Sequence, residues 1–200
     1  MAFNSYRMDE TAYTLIRGVP HEMPLLVFDI PSKCRFDLMQ VTLDQVRRGR
    51  SVSYLAKAIG QHTRHAHLLL QNAYILGFVR REGNKWTLTA SGFKFLEATK
   101  EKKGLMLAKA MLESRLMSFV IKRAGSLSKA TMMTTRQISD LLIETTVVQA
   151  GSKKRIEKTT ADRRAVSVKG WISWLERNIP KIGGENAREL LVVQQKALDF

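Results

Sequence analysis

Residues 60–77 read GQHTRHAHLLLQNAYILG and hold three of the chain's four histidines, His62, His65 and His67. The stretch is bounded by glycines, and its apolar residues do not run at random. Ala66, Leu69, Ala73 and Leu76 recur every three or four positions, which is one face of a helix. With that face turned inward, His62, Thr63, Arg64, His67, Leu68 and Gln71 face outward. A metal site would gather its ligands on one side, usually with a carboxylate or thiolate among them. Here His67 lies well round from His62 and His65, and no cysteine or acid falls within the segment, so no metal or cofactor is expected. His65 reads as a surface or core histidine.

The preceding residues 51–60, SVSYLAKAIG, form a second helical pattern. Ser51 or Ser53 can cap its start and Gly60 can close its end. Leu55 and Ile59 face the inward stripe of the next helix. Ala56 is small where the two helices cross, and Gly60 tolerates the positive φ of a tight turn. The following residues 78–89, FVRREGNKWTLT, alternate about a Gly-Asn turn and predict a β-hairpin. Helix, helix, hairpin is the order of a winged helix. In that arrangement Arg80, Arg81, Asn84 and Lys85 sit on the wing near phosphates. Near the start of the reading helix Arg64 can pair with guanine, Gln71 with adenine and Thr63 with phosphate or a thymine methyl, while the helix N-terminus favours phosphate.

The pattern sets the domains. Residues 1–34 are an N-terminal arm or short strand, with MPLLVFDIP as the strand candidate. Residues 35–100 are a first winged-helix domain, beginning with a helix over 36–48 and ending with a helix over 89–103 capped by Thr89 or Ser91. A single apolar helix over 104–122 connects the halves within residues 101–126. Residues 123–133, RAGSLSKATMM, read as a polar break. Residues 127–200 are a second winged-helix domain, in which TTRQISDLLIE supports and ADRRAVSVKGWISWLERN reads. There the basic residues crowd: Lys153, Lys154, Arg155, Lys158, Arg163, Arg164 and Lys169 face only Glu157 and Asp162. Arg163, Ser167 and Gly170 leave the apolar stripe and are expected on the duplex side. Trp171 and Trp174 are expected in the core or at an interface. ARELLVVQQKALDF, near the C-terminus, suits either helix or strand. The fold class is therefore mainly α with small β-hairpin wings: two winged helix-turn-helix domains joined by a central helix.

Charge bounds the partner. The net charge is +15, and its distribution is uneven. Residues 1–45 carry four Lys/Arg against six acids, so the remainder carries 29 against 12, or +17. A field of that size draws polyanions and speeds their encounter. Double-stranded DNA is the leading partner. No apolar run is long enough to span a bilayer and no basic amphipathic anchor stands out, so no membrane partner is expected. The lone Cys34 cannot form an intrachain disulfide and reads as a small buried hydrophobe in an intracellular chain. Paired acids with a nearby lysine, a phosphate-binding glycine loop and a nucleophile triad are all missing, so the chain is not expected to be an enzyme.

Two segments carry a resemblance. Residues 68–96, LLLQNAYILGFVRREGNKWTLTASGFKFL, resemble winged-helix domains with a tyrosine-leucine-glycine end to the reading helix and an LTxxG after the wing. Residues 159–177, TTADRRAVSVKGWISWLER, resemble a second winged-helix signature built on the arginine pair and two tryptophans, although Ala165–Val166 replaces part of its small-hydroxyl run. In tandem over residues 36–177, they look like the DNA-recognition modules of prokaryotic restriction-modification and defence proteins. The resemblance implies target recognition on double-stranded DNA in the cytoplasm, on the nucleoid, alone or beside a nuclease or other defence subunit. A stand-alone transcriptional regulator and a protein-interaction subunit of a nuclease complex are the alternatives. A homodimer would suit a palindromic site.

Overall fold

The computed structural model describes residues 25–32, 35–148 and 154–182. The expectations for residues 1–24, Cys34, Lys153 and the stretch 183–200 lie outside the described residues. The fold is mainly helical, with a small antiparallel strand pair.

The first described segment begins with β1 (Leu25–Leu26) and a 3-10 turn over Val27–Asp29. A second 3-10 turn, Phe36–Leu38, runs into α1 (Met39–Arg47), whose Met39, Thr42, Leu43 and Val46 are buried. Then come α2 (Val52–Ala58), a turn in which Gly60 takes φ +61°, and α3 (Thr63–Ile75). Leu55 and Ala56 on α2, and Ala66, Leu69, Leu70 and Ala73 on α3, are buried, as the three-and-four spacing requires. The hairpin is β2 (Val79–Glu82) paired antiparallel with β3 (Lys85–Leu88), with Gly83 at φ +57° in the turn.

A small knot joins this hairpin to the next helix, α4 (Ala90–Glu97), which Thr89 caps. The Thr89 Oγ1 accepts from the Gly92 N–H at 3.1 Å and donates to the Gly77 carbonyl at 2.6 Å. Gly92 lies hard against the chain: a Cβ built there would stand 2.1 Å from the Phe78 carbonyl oxygen.

The expected single connecting helix is two, and the helix expected to end at 103 ends at Glu97. Ala98 is extended, and Thr99 caps a new helix, α5 (Lys100–Leu112), by accepting from the Lys102 N–H. Ser114 interrupts the next apolar run. Its Oγ donates to the Met111 carbonyl at 2.6 Å and accepts from the Met117 N–H, which starts α6 (Arg115–Ala124). Serine and threonine compete with the helix backbone for hydrogen bonds, so they cut an apolar stripe that periodicity alone reads as continuous. The polar break at 123–133 also contains a helix, α7 (Leu127–Met132), entered through Gly125 at φ +84° and capped by Ser126. Next come α8 (Thr135–Thr145), with a Thr134/Gln137 capping box, and β4 (Thr146–Val147), which pairs in parallel with β1. The chain returns as α9 (Lys158–Ile182), which starts earlier and ends later than its apolar stripe.

Buried side chains from both halves join one continuous apolar cluster. Ala161, Ala165, Val168, Trp171, Ile172 and Leu175 of α9 are fully buried in it. The Phe36 ring lies 5.7 Å from that of Trp171 and 5.4 Å from that of Trp174, so a residue ahead of α1 packs on the far helix. Trp171 is fully buried, and Phe36 and Trp174 are half-buried against it. Full burial of a large apolar side chain is worth about 1.5–3 kcal/mol, so this ring cluster helps to join the halves.

Candidate nucleic-acid interface

The site is built where α3 begins. His62 is its N-cap, and its Nδ1 accepts the Arg64 N–H at 3.2 Å. That bond places the ring proton on Nε2, which is left to donate outward from an exposed side chain. Thr63 is half-buried, and Arg64 and His67 are exposed. His65 Nδ1 lies 2.8 Å from Gln61 Oε1, a local contact across one turn. An open groove at the α2–α3 junction is lined by Ser53, Lys57, His62, Thr63 and His65. Sequence reasoning missed Lys57 and Ser53. Their spacing on α2 marks them only as exposed, and the turn at Gly60 is what brings them beside α3.

The hairpin continues this surface. Arg81, Asn84 and Lys85 are exposed. The Arg81 guanidinium donates through Nε to the Gly83 carbonyl at 3.0 Å and sits 5.9 Å from the Trp86 ring centre. Partial burial and, after it, the positive field of Arg81 hold the His67 imidazole below the usual histidine value. The Arg81 charge on the hairpin therefore lies near His67 on α3. Arg80 is also exposed, but Glu82 at 2.6 Å and Thr87 hold its guanidinium. It is the weakest member of the expected wing set.

Four of the expected contact residues do not face outward. Gln71 is 8% exposed: its Nε2 donates to the Phe28 carbonyl at 2.9 Å, and its Oε1 accepts from Ser32 Oγ at 3.0 Å. Arg164 donates to the Ile30 carbonyl at 2.8 Å and to Ser32 Oγ, and burial pushes its guanidinium down to about 10. Ser167 is buried, 6% exposed. Lys169 donates to the Thr131 carbonyl and, at 2.8 Å, to the Met133 carbonyl, so it satisfies the end of α7. Gln71, Arg164 and Lys169 are each held by a distant part of the chain, and Ser167, expected on the duplex side, is buried. Gly170 is half-buried.

On the second half, Lys154, Arg155, Lys158 and Arg163 remain exposed. Lys158 lies 3.5 Å from Asp162, and the Asp162 carboxylate accepts from Ser139 Oγ at 2.6 Å. Those bonds hold it below the usual carboxylate range, the serine first and lysine after it. That acid ties α9 to α8. Among the described residues, no three His, Cys, Asp or Glu side chains gather in one place, and no helix is long and apolar enough to cross a membrane.

Neither curated proteins nor solved structures yield a match to the chain. A family of conserved domains does, over residues 39–179, from the start of α1 to near the end of α9. The chain belongs to that family, which is described as "Domain of unknown function (DUF7226)".

Proposed function

We propose that this chain binds double-stranded DNA through two winged-helix modules, residues 35–100 and 127–200, linked through residues 101–126. One observation carries the reading. Arg64 and His67 are exposed one turn apart on α3, and the hairpin that follows carries exposed Arg81, Asn84 and Lys85. A helix N-terminus, an exposed arginine at its second residue and a basic hairpin on the same face suit a phosphate-lined groove. Thr63, Arg64 and His67 meet base edges, while His62, Arg81, Asn84 and Lys85 hold the backbone. Lys154, Arg155, Lys158 and Arg163 give the second half its own phosphate contacts. The protein works in the cytoplasm of a prokaryote, on its nucleoid, as a sequence-reading component of a restriction or defence system. No catalytic step is assigned to it.

The test is binding of the full chain to a labelled random duplex, measured by anisotropy at two salt concentrations. Affinity should fall steeply as salt rises, by about a decade or more between 50 and 200 mM for a handful of phosphate contacts. Absence of binding at low salt would sink the reading. Salt-independent capture of a protein partner without DNA would replace it with the interaction-subunit reading. Selection of bound sites from random DNA then separates sequence-specific from general binding.

A further inference from the structure

The geometry points to residues 25–32 as a strap that holds the two proposed DNA-facing helices, α3 and α9, at one spacing, so that a single duplex engages both. Arg164, Ser32 and Gln71 are its positioning residues. The inference rests on the proposed DNA binding and adds to it a reason why the two surfaces act together.

The strap is held by a directed relay. Arg164 on α9 donates to Ser32 Oγ, Ser32 donates to Gln71 Oε1 on α3, and Gln71 Nε2 donates to the Phe28 carbonyl. Arg164 also donates to the Ile30 carbonyl at 2.8 Å, and Gln71 reaches the same oxygen at 3.5 Å. Two side chains from helices far apart in sequence thus converge on one carbonyl and one hydroxyl. Release of either side chain breaks two or more hydrogen bonds at this largely covered junction, so the bonds support one another. Further anchors keep the strap in place. The Asp29 carboxylate lies 3.6 Å from the Arg115 guanidinium of α6, and β1 pairs with β4. Phe28 meets Tyr74 of α3 edge-on at 5.4 Å, Tyr74 meets Trp86 at 6.0 Å, and Arg81 sits over Trp86. The strap is therefore linked to the hairpin as well as to both helices.

The exposed side chains lie close to this knot along each helix. His67 is one turn before Gln71 on α3, and Arg163 is the immediate neighbour of Arg164 on α9. Two contact surfaces fixed to a common strap bind a duplex that reaches both with the advantage of a high effective concentration, and lose that advantage when the spacing is free to vary.

The experiment measures the affinity of the full chain for a short duplex of about 10 base pairs, one helical turn, and a longer one of about 24. The gain from length is corrected for the number of binding registers. The wild type should gain on the order of 100-fold. Arg164→Met and Gln71→Met should bind the short duplex within about two-fold of wild type, while the gain drops by about ten-fold or more. A gain left intact in both variants overturns the strap. So does a wild type that gains nothing from length, although binding by one helix then stands. A wild type that binds neither duplex at low salt overturns the DNA reading itself. Should Arg164→Met or Gln71→Met melt below the assay temperature, Ser32→Ala, which removes only the relay hydroxyl, decides by the same comparison.

Discussion

Arg164 and Ile30 stand 134 residues apart in sequence, yet the guanidinium of one donates to the carbonyl of the other at 2.8 Å. An arginine that local pattern sends to a phosphate is used instead to satisfy a buried backbone oxygen. The family match spans residues 39–179, so Ile30 lies outside the matched stretch while Arg164 lies inside it. Removing a surface arginine and removing this one are therefore different experiments.

Arg64→Ala and Arg163→Ala should each weaken DNA binding and leave thermal melting unchanged, because both side chains are exposed. If each neutralises one phosphate, each substitution lowers the slope of log affinity against log salt by about 0.9. If either contacts a base edge, loss of about 1–3 kcal/mol should appear at one base position only. Unchanged affinity and slope in both variants would remove these helices from the interface.

Gly92 and Gly104 give a paired test of packing. Gly92→Ala drives its Cβ into the Phe78 carbonyl, 2.1 Å away, and backbone must move. A loss of about 1–3 kcal/mol or more is expected in urea denaturation. Gly104, inside α5, has nothing within 4 Å of a new Cβ. Gly104→Ala should stabilise by about 0.5–1 kcal/mol through helix propensity. Equal effects at both positions would contradict this arrangement of α4 against the hairpin.

His67 should titrate below an ordinary histidine, and Arg81→Ala should move its transition upward without fully restoring it, because burial is the larger cause. The unfolded chain binds the proton more readily, so the stability from a neutral His67 is complete above the ordinary histidine range. It is lost as pH falls through the lower, folded value. Two-dimensional NMR of the imidazole protons in wild type and Arg81→Ala reads this directly, and an upward-shifted wild-type value would refute it.

Lys169→Met should cost about 1–3 kcal/mol, because the Thr131 and Met133 carbonyls lose their donor at the end of α7. Binding to a short duplex should stay near wild type at temperatures where the variant is folded. Leu69→Asp is the contrasting case. That side chain is 3% exposed on the buried stripe of α3, and a carboxylate there should prevent the first half from folding, as seen by loss of the cooperative melt. A folded, cooperative Leu69→Asp protein would mean that the stripe is not core.

Local signals read well wherever a residue's fate is settled by its neighbours within a turn or two. The α2–turn–α3–hairpin order, the positive φ at Gly60 and Gly83, and the cap at Thr89 arise from spacing and residue type. The breaks at Thr99 and Ser114 are equally local, yet an apolar stripe running through them hides the caps. His62 as a cap is harder to foresee, since an imidazole seldom takes the place of a serine or aspartate.

By itself, the sequence determined which residues turn inward on each helix, where the hairpin turns and how unevenly charge is distributed, because these depend on short-range periodicity and composition. Only the tertiary structure decided what becomes of the polar residues that leave the stripe. Thr63, Arg64 and His67 keep an outward surface, while Gln71, Arg164, Ser167 and Lys169 are covered. The physical reason is the same at Gln71 and Arg164. A strap from residues 25–32 arrives with unpaired backbone oxygens, and the nearest long polar side chains are drawn inward to satisfy them. No pattern within either helix carries that information, because the group that sets each side chain's direction lies 41 to 134 residues away.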